Sequence, residues 1–438
     1  MSAANDSQWH PQTKAIHAGQ RFDPTTGSVI TPIHQTAAYQ FDDARHAESL
    51  FMLQGVEDGQ HQNIYSRMGN PTVDQFEARI TALDCGLGAV GFGSGMAAIT
   101  AAVLNVCRQG DNFVASQNLY GGVSNLFRNI FKNFGIECRI VDHSDPENFR
   151  LAADDKTRLF WGETLPNPRL NVFPIGEVAK IGDEMGIPLF IDNTCATPAL
   201  CRPFEHGAHV AVYSATKYLC GHGTSIGGVV VDSGKFDWEA AGARLPMLNE
   251  PDPSLHGINW AGKFGQMGYL AKLRVTMLRD LGATLAPLEA FLFTTGLETL
   301  HLRMAKHCEN ASKVAGFLAN HPKVNNVQYP ELAEGNTRRW ADQYMGGQYG
   351  GMVGLDVKGG IKGGQTVAEN LKLFYHVANI GDVRSMAIHP ASTTHSQVPS
   401  EMRAQSGITD GYVRLCIGIE DANDIIADLD QALSKVAV

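Results

Sequence analysis

An α/β fold is what this chain predicts: a mostly parallel central sheet covered by helices, followed by a smaller C-terminal α/β domain. Three observations carry that expectation. Between about residues 70 and 235, short apolar runs closed by polar residues alternate with helix-like stretches, the pattern that builds parallel sheets. Residues 264–320 then read helical, with apolar residues at mixed three and four spacing. Beyond them, apolar runs at 351–357 and 411–419 are each followed by a helical pattern, at about 364–374 and 421–436. A chain of 438 residues exceeds one compact core. The expected division is an N-terminal arm over 1–64, a large domain over 65–292 and a small domain over 293–438.

The arm is polar and turn-rich, with Gly, Pro, Asp and His, and reads as an extended segment. Strands are expected at 112–116, 158–162, 188–192, 208–213 and 228–231, with helices at 96–108 and 174–185 between them. Residues 236–262 read as a polar, proline-containing loop. In such sheets the chemistry gathers beyond the carboxyl ends of the strands, and Asp192 and Ser214 both fall there.

Composition narrows the function classes. Apolar residues make up 44% and charged residues 18%, which suits a soluble globular enzyme. With 45 acidic against 35 basic residues the net charge is −10, which argues against a nucleic-acid footprint. The eight cysteines are scattered and form no C-x-x-C pair, so neither a metal site nor a disulfide framework is expected. A reducing, cytoplasmic compartment is expected from the same pattern. The stretch from Met1 to Gln12 has no apolar core and no run is long enough to span a membrane, so no signal peptide or membrane anchor is expected.

Lys217 is the first candidate for chemistry. It sits in Tyr213-Ser214-Ala215-Thr216-Lys217-Tyr218, directly after the apolar run 208–212. A lysine is costly to bury unless its charge is paired or used. A Schiff base with pyridoxal phosphate would use it, and the preceding hydroxyls would hold the phosphate. For one lysine taken alone, a surface position opening a helix is the plainer reading. Asp192 closes a strand, where a carboxylate needs a cation such as a pyridinium nitrogen, or caps the next helix. Gly93-Ser94-Gly95-Met96 turns into a helix whose N–H groups suit an anion. Nearby Gly86-Leu87-Gly88-Ala89-Val90-Gly91 fits G-x-G-x-x-G, but a helical segment precedes it, whereas a dinucleotide fingerprint comes after a strand. Tyr120 comes after a strand and is placed either to stack on a flat ring or to pack as an ordinary half-buried tyrosine. Arg67 either offers phosphate its fork or lies over solvent as a loop arginine. Arg414 lies in an apolar strand, either clamping a carboxylate or reaching water from an edge.

Taken together, Y-S-R-x-x-N-P-T from Tyr65, G-S-G-M-A from Gly93, L-Y-G-G from Leu119, E-x-x-x-N-P from Glu163, I-D-N-T from Ile191 and S-A-T-K-Y from Ser214 resemble the Cys/Met metabolism (cystathionine-γ-synthase-like) pyridoxal-phosphate enzymes, in order and spacing. The resemblance implies a fold type I enzyme, normally a homotetramer built as a dimer of dimers. It implies that Lys217 carries the cofactor, Asp192 pairs with the ring nitrogen, Tyr120 stacks on the ring and Asn167 contacts the phenolic oxygen. By the same resemblance Gly95, Met96, Ser214 and Thr216 bind the phosphate, and Tyr65 and Arg67 reach the neighbouring subunit's cofactor. Arg414, helped by Ser385, would bind the substrate α-carboxylate.

Within that family the chain is most similar to O-acetylhomoserine sulfhydrylases, through its length, the segment 246–257, and Gly381-Asp382-Val383-Arg384-Ser385 with the later segment 389–397. The implied reaction is γ-replacement on O-acetyl-L-homoserine by sulfide or methanethiol. Met96 departs from the glutamine of many sulfhydrylases and is shared with methionine γ-lyases. Gly122, in turn, stands where those lyases usually carry a reactive cysteine. Methionine γ-lyase-type elimination, cystathionine γ-synthase activity and a non-catalytic pyridoxal-phosphate carrier are the alternatives.

Overall fold

The computed structural model describes residues 8–19, 22–54, 62–394, 396, 403 and 407–437. His395 and Gln397 of the expected motif, and residues 1–7, 20–21 and 55–61 of the expected arm, lie outside them.

Among the described residues the large sheet has seven strands: β1 (Gly88–Phe92), β2 (Asn112–Ser116), β3 (Glu137–Val141), β4 (Thr157–Glu163), β5 (Leu189–Asp192), β6 (Val210–Ser214) and β7 (Gly228–Asp232). Their order is β1-β7-β6-β5-β4-β2-β3. Neighbours from β6 through β3 pair parallel, and β7 runs antiparallel to both of its neighbours. β2, β4 and β7 are buried at every position, because helices cover both faces of such a sheet. The helix Pro71–Asp84 starts where Asn70 accepts from the Thr72 N–H and proline fills the first turn. The helix Ile175–Met185 stops at Gly186, which takes a positive φ of 66°.

A second sheet contains β8 (Val324–Gln328), β9 (Met352–Val357), β10 (Tyr375–His376), β11 (Met386–Ile388) and β12 (Tyr412–Cys416), in the order β10-β11-β12-β9-β8. It is antiparallel apart from the β10–β11 pair. The helices Gly360–Asn370 and Ala422–Leu433 pack together, the first of them also against β9 and β12.

Several expectations need adjustment. The arm is not simply extended: the helix Pro11–His17 docks on Pro71–Asp84, with Ala15 and Ala18 buried and the Ala18 carbonyl accepting from Gln75 and Arg79. The segment 236–262 is anchored rather than loose, since Trp238, Leu245, Leu248 and Trp260 are fully buried. The helical stretch 264–320 is broken by Gly282 at φ 81°, and the helices Pro287–Glu298 and Leu300–Ala319 come after the break. The expected boundary at 293 falls inside the helix Pro287–Glu298.

Behind the sheet, Asp84 is fully buried and takes the Tyr213 hydroxyl at 2.6 Å, and Asn193 in turn donates to that hydroxyl at 3.0 Å. Burial pushes the Asp84 carboxyl up to about 7 from an ordinary 3.8. A raised carboxyl binds its proton more tightly folded than unfolded, so its contribution is complete below the unfolded value and is lost as pH rises towards 7. Asp84→Asn should therefore gain stability relative to the wild type between pH 5 and pH 8, on the order of 2 kcal/mol. Urea unfolding at both pH values measures this; an unchanged difference between the two proteins would mean that Asp84 does not titrate in that window.

Candidate active site

A cavity of about 240 Å³ opens beyond the carboxyl ends of β4, β5 and β6, lined by their terminal residues Glu163, Asp192 and Ser214. The turn after β6 presents Thr216 and Lys217 to the same space. From the other side the helix Gly95–Leu104 brings its first residues, Gly95 and Met96. Ser94 caps that helix by accepting from the Ala97 N–H at 3.0 Å. Glycine is required at position 95, where a Cβ would lie 2.6 Å from that of Ser214. The helix start is thus pressed against the end of β6, and its N–H groups suit an anion.

Asp192 accepts from the Thr194 N–H at 3.0 Å, and the Thr194 hydroxyl accepts from the Ser214 N–H at 2.8 Å. Among the described residues no basic side chain forms an ion pair with Asp192. Burial raises its carboxyl above the ordinary range, which is what a carboxylate awaiting a cation shows. Glu163 lies opposite Asp192 in the β4–β5 register. Its carboxyl accepts from the Tyr120 N–H at 2.6 Å. Tyr120 is 49% exposed, and a Cβ at Gly122 would lie 2.6 Å from its ring.

The second sheet completes the cavity. Arg414, on β12, is not at an edge but between β9 and β11. Its Nη1 donates to Asn167 Oδ1 at 3.3 Å and its Nη2 to the Asn379 carbonyl at 3.0 Å, while its Nε is buried without an acceptor. Lys217 Nζ donates to Asn379 Oδ1 at 2.6 Å. Burial, then the nearby Arg414 guanidinium, pull Lys217 below the usual lysine range. Gly381, at φ 75°, allows this approach, since a Cβ there would lie 2.5 Å from the Tyr218 nitrogen.

Lys217, Asp192, Tyr120, Asn167, Gly95, Met96, Ser214, Thr216 and Arg414 therefore come together. The structure does not bring in three others. Ser385 is fully buried outside the lining, its hydroxyl donating to Glu420 at 2.9 Å and accepting from the Gly418 N–H at 2.9 Å. Asn379, which sequence reasoning did not single out, stands beside both Lys217 and Arg414. Tyr65 and Arg67 do not line this chain's own cavity; Arg67 lies over the Tyr65 ring and donates to the Arg279 carbonyl. Sequence reasoning also missed Cys195, a lining residue whose thiol is pushed well up by burial and by Glu163, which keeps it protonated.

Comparison with known proteins agrees with this geometry. Residues 12–434 match the family described as Cys/Met metabolism PLP-dependent enzyme. The chain belongs to that family. It is 45% identical to an O-acetyl-L-homoserine sulfhydrylase of Leptospira meyeri over 435 residues, covering 97% of each chain. It is 42% identical to a homocysteine synthase of Schizosaccharomyces pombe, covering 97% of this chain and 98% of the other. A crystal structure of a Campylobacter jejuni protein described as an O-acetylhomoserine (thiol)-lyase superposes with a TM-score of 0.92 at 37% identity, covering 98% of this chain and all of that one. That structure carries a pyridoxyl-lysine monophosphate. This chain, like its family, is a pyridoxal-phosphate-dependent enzyme.

The orphaned Nε makes Arg414 testable. A carboxylate offers the planar pair of acceptors that it lacks, and lysine cannot reproduce that fork. Arg414→Lys should raise KM for the amino-acid substrate by about 10- to 100-fold, the loss of one charge-assisted hydrogen bond. The bound cofactor's absorbance should stay as in the wild type. Loss of cofactor with amino-acid affinity intact would instead place Arg414 on the cofactor side.

Proposed function

We propose that this enzyme catalyses γ-replacement on O-acetyl-L-homoserine, with sulfide or methanethiol entering, acetate leaving, and homocysteine or methionine formed. One observation carries the reading: Lys217 and Arg414 share Asn379 as a hydrogen-bond neighbour. An amino acid held at Arg414 by its carboxylate therefore presents its Cα towards the Lys217 amine. The names of the similar proteins support the choice of substrate.

The residues present fit the cofactor. The N–H groups of Gly95 and Met96 with the hydroxyls of Ser214 and Thr216 would take the phosphate. The half-buried Asp192, without an ion pair among the described residues, would take the ring nitrogen, Tyr120 a ring face, and Asn167 the phenolic oxygen. When bound, pyridoxal phosphate supplies an electron sink conjugated with the substrate Cα. Lys217, with its pKa lowered, is the base that removes the Cα proton and later returns it. Arg414 holds the substrate carboxylate while a second proton leaves Cβ, whose electron pair expels acetate from Cγ. The thiol or sulfide then forms the new C–S bond, so that ester and thiol are exchanged for thioether or thiol and acetic acid.

Gly122 bears on the fate of the substrate once acetate has left. Any side chain there would displace the Tyr120 ring, so this site lacks the cysteine that lyases usually carry at that position. Sulfide-dependent homocysteine formation from O-acetylhomoserine should exceed 2-oxobutanoate release from methionine by at least about tenfold, roughly 1.4 kcal/mol in barrier. Equal or faster release from methionine would make the enzyme a lyase.

The reading includes a cytoplasmic homotetramer with shared sites, in which Tyr65 and Arg67 serve the neighbouring subunit. Supporting it, Tyr65 is 42% exposed, and Val29, Ile30 and Ile33 of the preceding arm are exposed apolar residues. Mixing Lys217→Ala subunits with Arg67→Ala subunits should restore part of the activity, because one hybrid site regains both groups. No recovery in verified mixed oligomers would mean that each site is built from a single chain.

A further inference from the structure

Glu163 is more deeply placed than Asp192, 4% exposed at the end of β4. It forms no ion pair among the described residues. Its Oε1 accepts from the Tyr120 N–H at 2.6 Å, and the backbone N–H of Asn167 bonds to the same carboxyl. Tyr120 lies on the connection after β2, and Asn167 on the connection after β4. One side chain thus ties together the two loops that carry the residues placed on the cofactor's ring face and at its phenolic oxygen.

We propose that Glu163 is the positioning residue of this site, clamping Tyr120 and Asn167 through their backbone N–H groups while leaving the negative charge of the carboxyl pair on Asp192. The register neighbour makes two adjacent charges costly. Burial, then the Asp192 charge, push Glu163 well above the ordinary carboxylate range. A neutral carboxyl still offers its carbonyl oxygen to the N–H groups. The other cavity groups around the pair are Cys195, held protonated, and the cations Lys217 and Arg414. One negative charge then faces one protonated ring nitrogen. A second, on the more deeply buried Glu163, would have no ion-pair partner among the described residues.

This proposal rests on the placement of Tyr120 and Asn167 about the cofactor, and its test does not depend on turnover. Glu163→Gln keeps the carbonyl acceptor and removes any charge. The holoenzyme of this variant should release cofactor with an affinity within about twofold of the wild type, and should keep the visible circular dichroism of the bound cofactor. Glu163→Ala removes the acceptor and should weaken cofactor affinity by about tenfold or more, with a diminished visible signal. Should Glu163→Ala fail to fold, Glu163→Asp replaces it: the acid remains but falls short of the Tyr120 N–H, and the same loss of signal is expected. A Gln variant that loses cofactor as Ala does would show that the ionised carboxylate is needed and overturn the proposal. Wild-type affinity and dichroism in the shortened variant would also overturn it. Sulfide-dependent turnover of the wild type reports on the proposed reaction independently of these variants.

Discussion

Everything in the cavity is arranged around a carboxylate that has no cation among the described residues. Asp192 ends a strand whose preceding residues are fully buried, and the sheet gives it one N–H, from Thr194, instead of a basic side chain. Such a group is stable only with a proton or an incoming positive charge. In the proposed site a pyridinium ring would provide that charge, and the ionised Asp192 would keep the ring protonated and electron-withdrawing. Placing a lysine or arginine beside Asp192 would have satisfied the carboxylate and removed its use. The two cations that are present, Lys217 and Arg414, are engaged by Asn379 and Asn167 instead.

The second sheet matters because it sets where those cations stand. Arg414 occupies an interior strand, so its backbone is fixed on both sides and only its guanidinium reaches the cavity. The turn after Lys217 is held as well. Arg303, on the helix Leu300–Ala319, donates to the Tyr218 carbonyl at 2.7 Å and to the Gly296 carbonyl at 2.6 Å. On the opposite flank Gly381 packs against the Lys217–Tyr218 backbone, and the Val383 N–H bonds to the Gly221 carbonyl at 2.9 Å. The backbone on either side of Lys217 is thereby held in place, which suits the positional role proposed for its amine.

The fully buried strands are legible in the sequence because their central residues form unbroken apolar runs, which a sheet covered on both faces explains. β1 is hidden by its own glycines, and β3 and β8 by the polar composition of edge strands, whose outer sides face water. Lys217, Asp192 and Tyr120 stand out because strand ends are where such sheets place chemistry. Asn379 carries no signal, since it lies in an irregular connection between two very short strands. The setting of Ser385 is hidden for a related reason. Glu420, 35 residues further on, takes both its N–H and its hydroxyl, and no local pattern announces a partner at that separation.

Charge also bears on the end of the cavity proposed for the phosphate. That side of the cavity offers helix N–H groups and the hydroxyls of Ser214 and Thr216, of which Thr216 is already bonded to Gly227. Among the described residues the only cations in the lining are Lys217 and Arg414, both hydrogen-bonded to Asn379. Dipoles and hydroxyls hold a phosphate, but a dianion gains more from a guanidinium fork. Arg67 has that fork, outside its own cavity, on a segment tied to the protein by Asn70 and Thr72. In the shared-site assembly proposed above, an arginine carried away from its own cavity would supply that charge to a second copy.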